Sequence, residues 1–485
     1  MIKKLGVALS VIGLSACTVG PDYRPPAALP DGSTTLIETD ANSNIVMAEL
    51  PAKWWQLFAD PTLDRLVEKA LRNNTDLRIA AANLQRSRAL LAEAGAGRLP
   101  VTTASASGVR QRTTSSSSAS GSPTGGTSPV TLDYFSVGFD ASYEVDLFGG
   151  VSRSIEAANA DSQAAQATLD AARVSVAAET ARAYTLVCSF AVQAQVATDT
   201  TQLQQKTLDL TERLLSGGRA NRRDVDRAIL LLEQTRAQVP EFEAERRAAL
   251  YALAVLTGDP PANADAEAAA CGELPEIEAA IPVGNGRDLL ARRPDVRQAE
   301  RQLAADVARI GVATAQLYPS ISLLGGVSLG ATGIGDVPKG DSFGYSIGPL
   351  ISWNFPFNNA ARSKVKQSEA VADGSLAQFD KTILNALQET EQALARLTGA
   401  IGRERSLDKA VSASESAAHI SRLRYDYGAD SLFQLLDSEK ERAQSRAAAA
   451  AAGANRLAAQ ISLFKALGGG WQNSPPVNEI QVGRD

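Results

Sequence analysis

Apolar residues recur every seven positions at Leu63, Ala70, Leu77, Leu84 and Leu91, and again at Val296, Leu303, Ile310 and Leu317. Leu66, Val67, Ala80 and Ala81 widen the first stripe. A seven-residue period predicts a helix packed in a left-handed supercoil. Pro100 and Pro319 stop these helices, because the residue before proline avoids the α region. The period then drops to two. Phe135, Val137, Phe139, Ala141, Tyr143, Val145 and Leu147 alternate with Ser136, Gly138, Asp140, Ser142, Glu144 and Asp146. Further on, Phe343, Tyr345, Ile347, Pro349, Ile351, Trp353, Phe355 and Phe357 alternate mainly with Gly344, Ser346, Gly348, Ser352 and Asn354. Such alternation predicts strands with one apolar face. Weaker strand signals precede each at Val101–Arg110 and Ser320–Leu329.

The strands give way to proline-free stretches at 149–216 and 359–426. As helices, each would reach on the order of 100 Å. Each turns at a glycine-bearing tip, Gly217-Gly218 or Gly428, and returns through 221–257 or 431–467. The halves are copies of one another. Shifted by 219, residues 71–100 fall on 290–319 with nine identities in thirty positions. Further along the offset becomes 210, placing Gly218 on Gly428 and Gly258 on Gly468. The nine-residue difference lies between Pro100 and Ser142, where Thr113–Ser128 is rich in Ser, Thr, Gly and Pro and reads as an exposed loop. The expected organisation is a signal segment 1–16, an N-terminal lipidated segment 17–58, a first repeat 59–258, an irregular equatorial linker 259–284, a second repeat 285–470 and a tail 471–485.

The N-terminus explains the lipidation. Lys3 and Lys4 precede an apolar stretch from Leu5 to Leu14, too short to span a bilayer. This is a secretory signal. It ends Leu14-Ser15-Ala16-Cys17, which resembles a bacterial lipobox whose cysteine takes a lipid. One lipid chain anchors only marginally, so a second membrane contact is needed. No later apolar run is long enough for a spanning helix, and only helices and closed barrels satisfy backbone groups in lipid. The alternating strands fit barrel staves. Tyr134, Phe135, Phe343 and Tyr345 are expected at one interface, and Tyr143, Phe148, Trp353, Phe355 and Phe357 at the other. Four strands cannot close a conducting barrel, so copies of the chain must pair edge to edge.

Composition narrows the chemistry. The 485 residues are 44% apolar but 5% aromatic, with a net charge of −6. No basic run points to nucleic acid. The one histidine, His419, lies in a predicted helix among Ser and Ala. No P-loop, nucleophile elbow or metal-ligand spacing appears, so no enzymatic activity and no cofactor are expected. Cys188 sits in a long helix and Cys271 in the linker, and whether they pair stays open. Asp140, Glu144 and Asp146 fall on the strand face opposite the apolar residues, where they would form an acidic pore wall favouring cations. Pairing of Glu144 and Asp146 with Arg153 or Arg362 is the alternative.

The chain resembles the TolC/OprM-type outer-membrane efflux proteins, in the lipid-anchored branch serving resistance-nodulation-division pumps. The carriers are Cys17-Thr18-Val19-Gly20-Pro21-Asp22-Tyr23, Tyr143-Glu144-Val145-Asp146-Leu147-Phe148-Gly149, Arg292-Arg293-Pro294-Asp295-Val296-Arg297, Leu317-Tyr318-Pro319-Ser320 and Tyr425-Asp426-Tyr427-Gly428. The resemblance implies a homotrimer in the outer membrane. Four strands per chain would form one twelve-stranded β-barrel, continued by a periplasmic α-helical barrel. It implies a periplasmic adaptor, hexameric in the family, and an inner-membrane transporter that supplies the energy. A gate follows by position: Asp437, nine after Gly428, would narrow the periplasmic end, and Tyr425 and Asp224 would form a latch between neighbouring hairpins. Gln434 departs from relatives with a second Asp there. The tips, with Gly217, Gly218, Arg219, Ala220, Gly428, Ala429, Asp430 and Ser431, would receive the adaptor. Export of small toxic compounds is the expected function. A protein-secretion or metal-export duct is the alternative within the family, and an envelope-bracing coiled coil the alternative outside it.

Overall fold

The computed structural model describes residues 18–26, 36–37, 45–115, 128–277, 279–355 and 359–478. The signal segment, Cys17, Phe357 and the middle of the Ser/Thr-rich loop lie outside them. In chain order the elements begin with strand β1 (Ile45–Val46) and helices α1 (Pro61–Asn73) and α2 (Thr75–Ala96). Strands β2 (Val101–Ser115) and β3 (Ser128–Val145) follow, then helices α3 (Gly150–Ser216), α4 (Arg222–Arg236) and α5 (Gln238–Leu256). The linker holds α6 (Ala266–Ala269) and β4 (Ile281–Pro282). The second repeat contains α7 (Gly286–Arg292), α8 (Pro294–Ala315), β5 (Ser320–Ala331), β6 (Phe343–Ser352), α9 (Asn359–Asp426) and α10 (Leu432–Ala466). No helix among the described residues is long and apolar enough to cross a membrane.

The heptad stripe from Leu63 to Leu91 is not one helix. It breaks at Asn74, and its counterpart breaks at Arg293, 219 positions on. Pro294 keeps Arg293 extended at φ −66°, ψ 122°. Asn74 instead uses its side chain: Oδ1 accepts from the N–H groups of Asp76 (2.9 Å) and Leu77 (3.3 Å), starting α2. Both residues also close the far end of their own repeat. Asn74 Nδ2 donates to the carbonyl of Leu256, the last residue of α5 (3.0 Å). The Arg293 guanidinium donates to the carbonyl of Ala466, the last residue of α10 (2.8 Å), and reaches Glu389 at 2.8 Å. Helix ends leave carbonyls without intrahelical partners, and these side chains satisfy them. The return stretch 221–257 is also split, at Ala237. Pro240 lacks an N–H and crowds the carbonyl of Arg236, so the helix cannot run straight through. α10 has Ala450 at the matching position and is unbroken.

Two compact units share the chain. In the larger, Trp54, Trp55, Phe58, Leu63, Leu66, Leu71 and Phe464 form a buried core, with Trp54 stacked on Phe464 at 4.7 Å. Residues before the first repeat therefore contribute directly to this core. β1 pairs in parallel with β4 of the linker. The linker, expected to be irregular, is tied down along its length. Lys69 pairs with Asp259 (2.6 Å), and Arg65 with Asp265 and Glu267 (both 2.7 Å). Cys271 is disulfide-bonded to Cys188, which is fully buried. The sequence left this pairing open because an 83-residue separation does not reveal that the linker folds back on α3.

The Arg65 hydrogen bonds, partly opposed by burial, hold the Asp265 carboxyl at about 2 instead of 3.8. A depressed carboxyl stabilises the fold above its unfolded value and loses that contribution as pH falls through the folded one. The linker attachment is therefore expected to be constant above pH ~4 and to loosen between pH ~4 and ~2. Hydrogen exchange of the linker amides over that range checks this. Arg65→Gln should remove the extra pH dependence, and linker protection unchanged down to pH ~2 in the wild type would contradict it.

The smaller unit carries the sheet, in the order β2-β3-β5-β6, with every pairing antiparallel. Residues 18–23 are fastened beside it. Val19 N–H donates to the carbonyl of Phe148 (3.2 Å), and Asp22 pairs at 2.5 Å with the buried guanidinium of Arg153. Gly20 lies so close to Gly311 that a Cβ on it would stand 2.5 Å from the Gly311 Cα.

Candidate pore face and hairpin tips

Residues directly opposite in an antiparallel sheet point to the same side. One cross-strand row reads Ala104, Phe139, Val327, Tyr345, and its neighbour reads Thr103, Asp140, Gly326, Ser346. The pattern holds through the middle of the sheet, and the Arg110–Asp133 ion pair interrupts the apolar side towards its far end. Val137, Leu329 and Phe343 share one side, whereas Ser105, Gly138, Ser328 and Gly344 share the other. The first side is apolar and bare: Tyr345, Ile347 and Ile351 are 78%, 76% and 65% exposed. The second is rich in hydroxyls and glycines, with Leu324 and Leu350 near one end and with Ser107 and Ser136 hydrogen-bonded at 2.8 Å. Tyr134 departs from expectation. Period two places it beside Ser136, with its hydroxyl over Gly330, on the side opposite Phe135. β6 ends at Ser352, so Trp353 and Phe355, stacked at 4.6 Å, lie beyond the strand rather than in it.

Asp140 and Glu144 project from the hydroxyl wall and are exposed. The Asp140 carboxylate lies over Gly326, where any Cβ would stand 2.5 Å from Oδ1. Asp146 has another task. Its carboxylate accepts from Val151 N–H (2.9 Å), Ser152 N–H (2.8 Å) and Ser152 Oγ (2.7 Å) at the start of α3. A negative charge there complements the helix N-terminus. Asp146 is thus a cap at the edge of a cleft of about 1040 Å³ that Glu93, Glu144 and Lys364 also line. Arg153 pairs with Asp22 and Glu156 instead of with Asp146.

The two hairpin tips have the same backbone. Gly217, Gly218, Arg219 and Ala220 donate to the carbonyls of Arg213, Leu215, Leu214 and Leu214. Shifted by 210, Tyr427, Gly428, Ala429 and Asp430 donate to Leu423, Tyr425, Arg424 and Arg424. Gly218 and Gly428 have φ of +70° and +75° with open space around them, so conformation and not close packing demands glycine. Each return helix then begins with a capping box, Asn221 with Asp224 and Ser431 with Gln434. This accounts for Gln434 locally: an amide oxygen accepts the Ser431 N–H (2.7 Å) as the Asp224 carboxylate accepts that of Asn221 (3.3 Å).

Tyr425 is half-buried in the last turn of α9. Burial pushes its phenol above the ordinary value, against the opposing influence of the Arg219 guanidinium. Among the described residues no hydrogen bond joins it to Asp224, so a latch between them does not form within one chain. Asp437 is exposed on α10, next to Leu436, which packs on Val225, Ala228 and Leu232 of α4. Sequence reasoning missed the Arg227 guanidinium 5.0 Å over the Phe433 ring and the buried Glu439 paired with Arg442. The i,i+3 spacing of that ion pair was a readable signal. His419 is exposed, and no group of metal-ligating side chains occurs among the described residues.

An apolar sheet face beside a hydroxyl-lined one, joined to very long helices, defines a subunit of an outer-membrane channel. The chain belongs to the outer membrane efflux protein family, whose model matches residues 66–259 and 286–469, one segment per repeat. It is 29% identical to Nodulation protein T of Rhizobium leguminosarum bv. viciae over 96% of this chain and 94% of that protein. It is 30% identical to the outer membrane protein OprJ of Pseudomonas aeruginosa over 96% and 95%. The solved outer-membrane channel OprN is 34% identical with a TM-score of 0.86, over 94% of this chain and 100% of that one. The open-state outer membrane channel MtrE of Neisseria gonorrhoeae is 29% identical with a TM-score of 0.78, over 94% and 99%. The fold class is that of these channels, a β-barrel continued by long helices, and the protein is an outer-membrane component of efflux.

Proposed function

We propose that three copies form one duct that passively releases drugs or other small toxic compounds, fed by a periplasmic adaptor and an inner-membrane resistance-nodulation-division transporter. Cys17 anchors it by lipid. The observation that carries this reading is the sheet itself. It has one bare, mainly apolar face, one face rich in Ser and Gly, and two edge strands, β2 and β6, without a neighbouring strand among the described residues. Lipid covers the first face, water fills the second, and other copies satisfy the edges. Asp224, Tyr425 and Asp437 form the gate. Asp140 and Glu144 make the lumen acidic, so the open duct prefers cations. Reversal potentials across a KCl gradient test this. Asp140→Asn with Glu144→Gln should reduce the potassium preference by about twofold or more. Asp146→Asn, which alters a cap, should leave it unchanged. An anion-selective wild-type duct would contradict the assignment of this face to the lumen.

A further inference from the structure

The two tips share one backbone but carry opposed chemistry. Residues 213–227 hold five arginines and two aspartates, whereas 423–437 hold one arginine and three aspartates. At matched positions Arg213, Arg219, Arg222 and Arg223 of the first tip correspond to Leu423, Ala429, Leu432 and Phe433 of the second. Since the backbone hydrogen bonds are identical, the loop conformation does not require this difference.

Local stability does not account for the arginines either. Arg222 and Arg223 are the first two residues of α4, where the helix end is already partly positive and acidic residues would be favourable. Among the described residues Arg222 is paired only with Asp226 (3.0 Å), and its side chain is 74% exposed. Arg219 and Arg223 are exposed and have no carboxylate partner among the described residues. The second tip cannot supply what they lack. Asp430, 9% exposed, is committed to Arg424 at 2.8 Å, and Asp426 lies 3.9 Å from Arg422. What that tip exposes instead is apolar: Ile420, Leu423, Tyr427 and Phe433 are 52%, 45%, 88% and 54% accessible.

We infer that the two tips are not equivalent docking points, and that Arg219, Arg222 and Arg223 form the surface that recognises an acidic loop of the periplasmic adaptor. This rests on the reading of the protein as an adaptor-bound duct. In a ring of three copies the basic tip alternates with the apolar one. Charge recognition is then available at three of six positions around the ring, and identical adaptor subunits bind in two classes. Charge steers and orders such an encounter, and salt weakens it.

The test uses purified full-length channel. The probes are a synthetic helix-loop-helix peptide with three glutamates in its loop and the same peptide with glutamines. At low salt the glutamate peptide should bind at least tenfold more tightly than the glutamine peptide. That preference should vanish in 300 mM salt, which shortens the screening length to about 6 Å. It should also vanish in Arg219→Gln/Arg222→Gln/Arg223→Gln, but persist in Tyr427→Ser/Phe433→Ser. Equal binding of the two peptides by the wild type, or a preference surviving the triple substitution, overturns the inference. So does a triple variant that no longer assembles, since another copy of the chain would then be the occupant. Conductance of the wild type in a bilayer reports separately on the duct reading.

Discussion

Replacing Cys188 and Cys271 together with serine is expected to free the linker from α3. By loop-closure entropy, a cross-link spanning 83 residues contributes about 4–5 kcal/mol, and removing a native disulfide typically costs about 2–5 kcal/mol. The ion pairs of Arg65 and Lys69 remain in the variant, so we expect local release rather than global unfolding. A glutamyl endopeptidase reads this directly, because Glu267, Glu273 and Glu276 lie in the linker. When opening is fast relative to cleavage, cutting follows the open population. A loss of about 2 kcal/mol should then speed linker cleavage on the order of thirtyfold. Cleavage at the wild-type rate would mean that the ion pairs alone hold the linker.

Breaking the proposed latch should open the resting duct. If Tyr425 of one hairpin bonds Asp224 of its neighbour, each bond contributes about 1 kcal/mol. Three released together favour opening by about 3 kcal/mol, roughly a hundredfold. The capping box complicates the obvious variant. Asp224→Ala also removes the acceptor of Asn221 N–H and destabilises the start of α4. Asn221→Ala is therefore the control, since it disturbs the cap and leaves the carboxylate. Single-channel recording should show a large rise in resting conductance for Tyr425→Phe and for Asp224→Ala. The double variant should add little, because both substitutions remove the same bond. Asn221→Ala should conduct like the wild type. Strict additivity of the two substitutions would sink the latch.

Much of the fold was readable from periodicity. Period two located the sheet and its two faces, and the 219 and 210 offsets located the repeat, because these patterns are set by burial on one side of a strand or helix. Breaks inside helices were less legible. Asn74 and Arg293 act through contacts with α5 and α10, and a heptad count carries no information about such partners. The ends of β6 and the side of Tyr134 followed from register, which aromatic content alone misassigned. Among the site residues, Asp140 and Glu144 stand on the expected face because the strand period fixes them. Asp146 lies one residue past the strand, where helix capping decides its partners. The disulfide needed the tertiary path of the linker. The tips were recognisable from their glycines, yet their opposed charges became meaningful only once their backbones proved equivalent.

The central claim is that copies of this chain assemble into one conducting duct. Light scattering on detergent-extracted protein, followed by planar-bilayer recording of the same fraction, tests it most directly. The account predicts a trimer that conducts and a monomer fraction that does not. A conducting monomer, or a pure trimer that never passes current even with the latch broken, would contradict it.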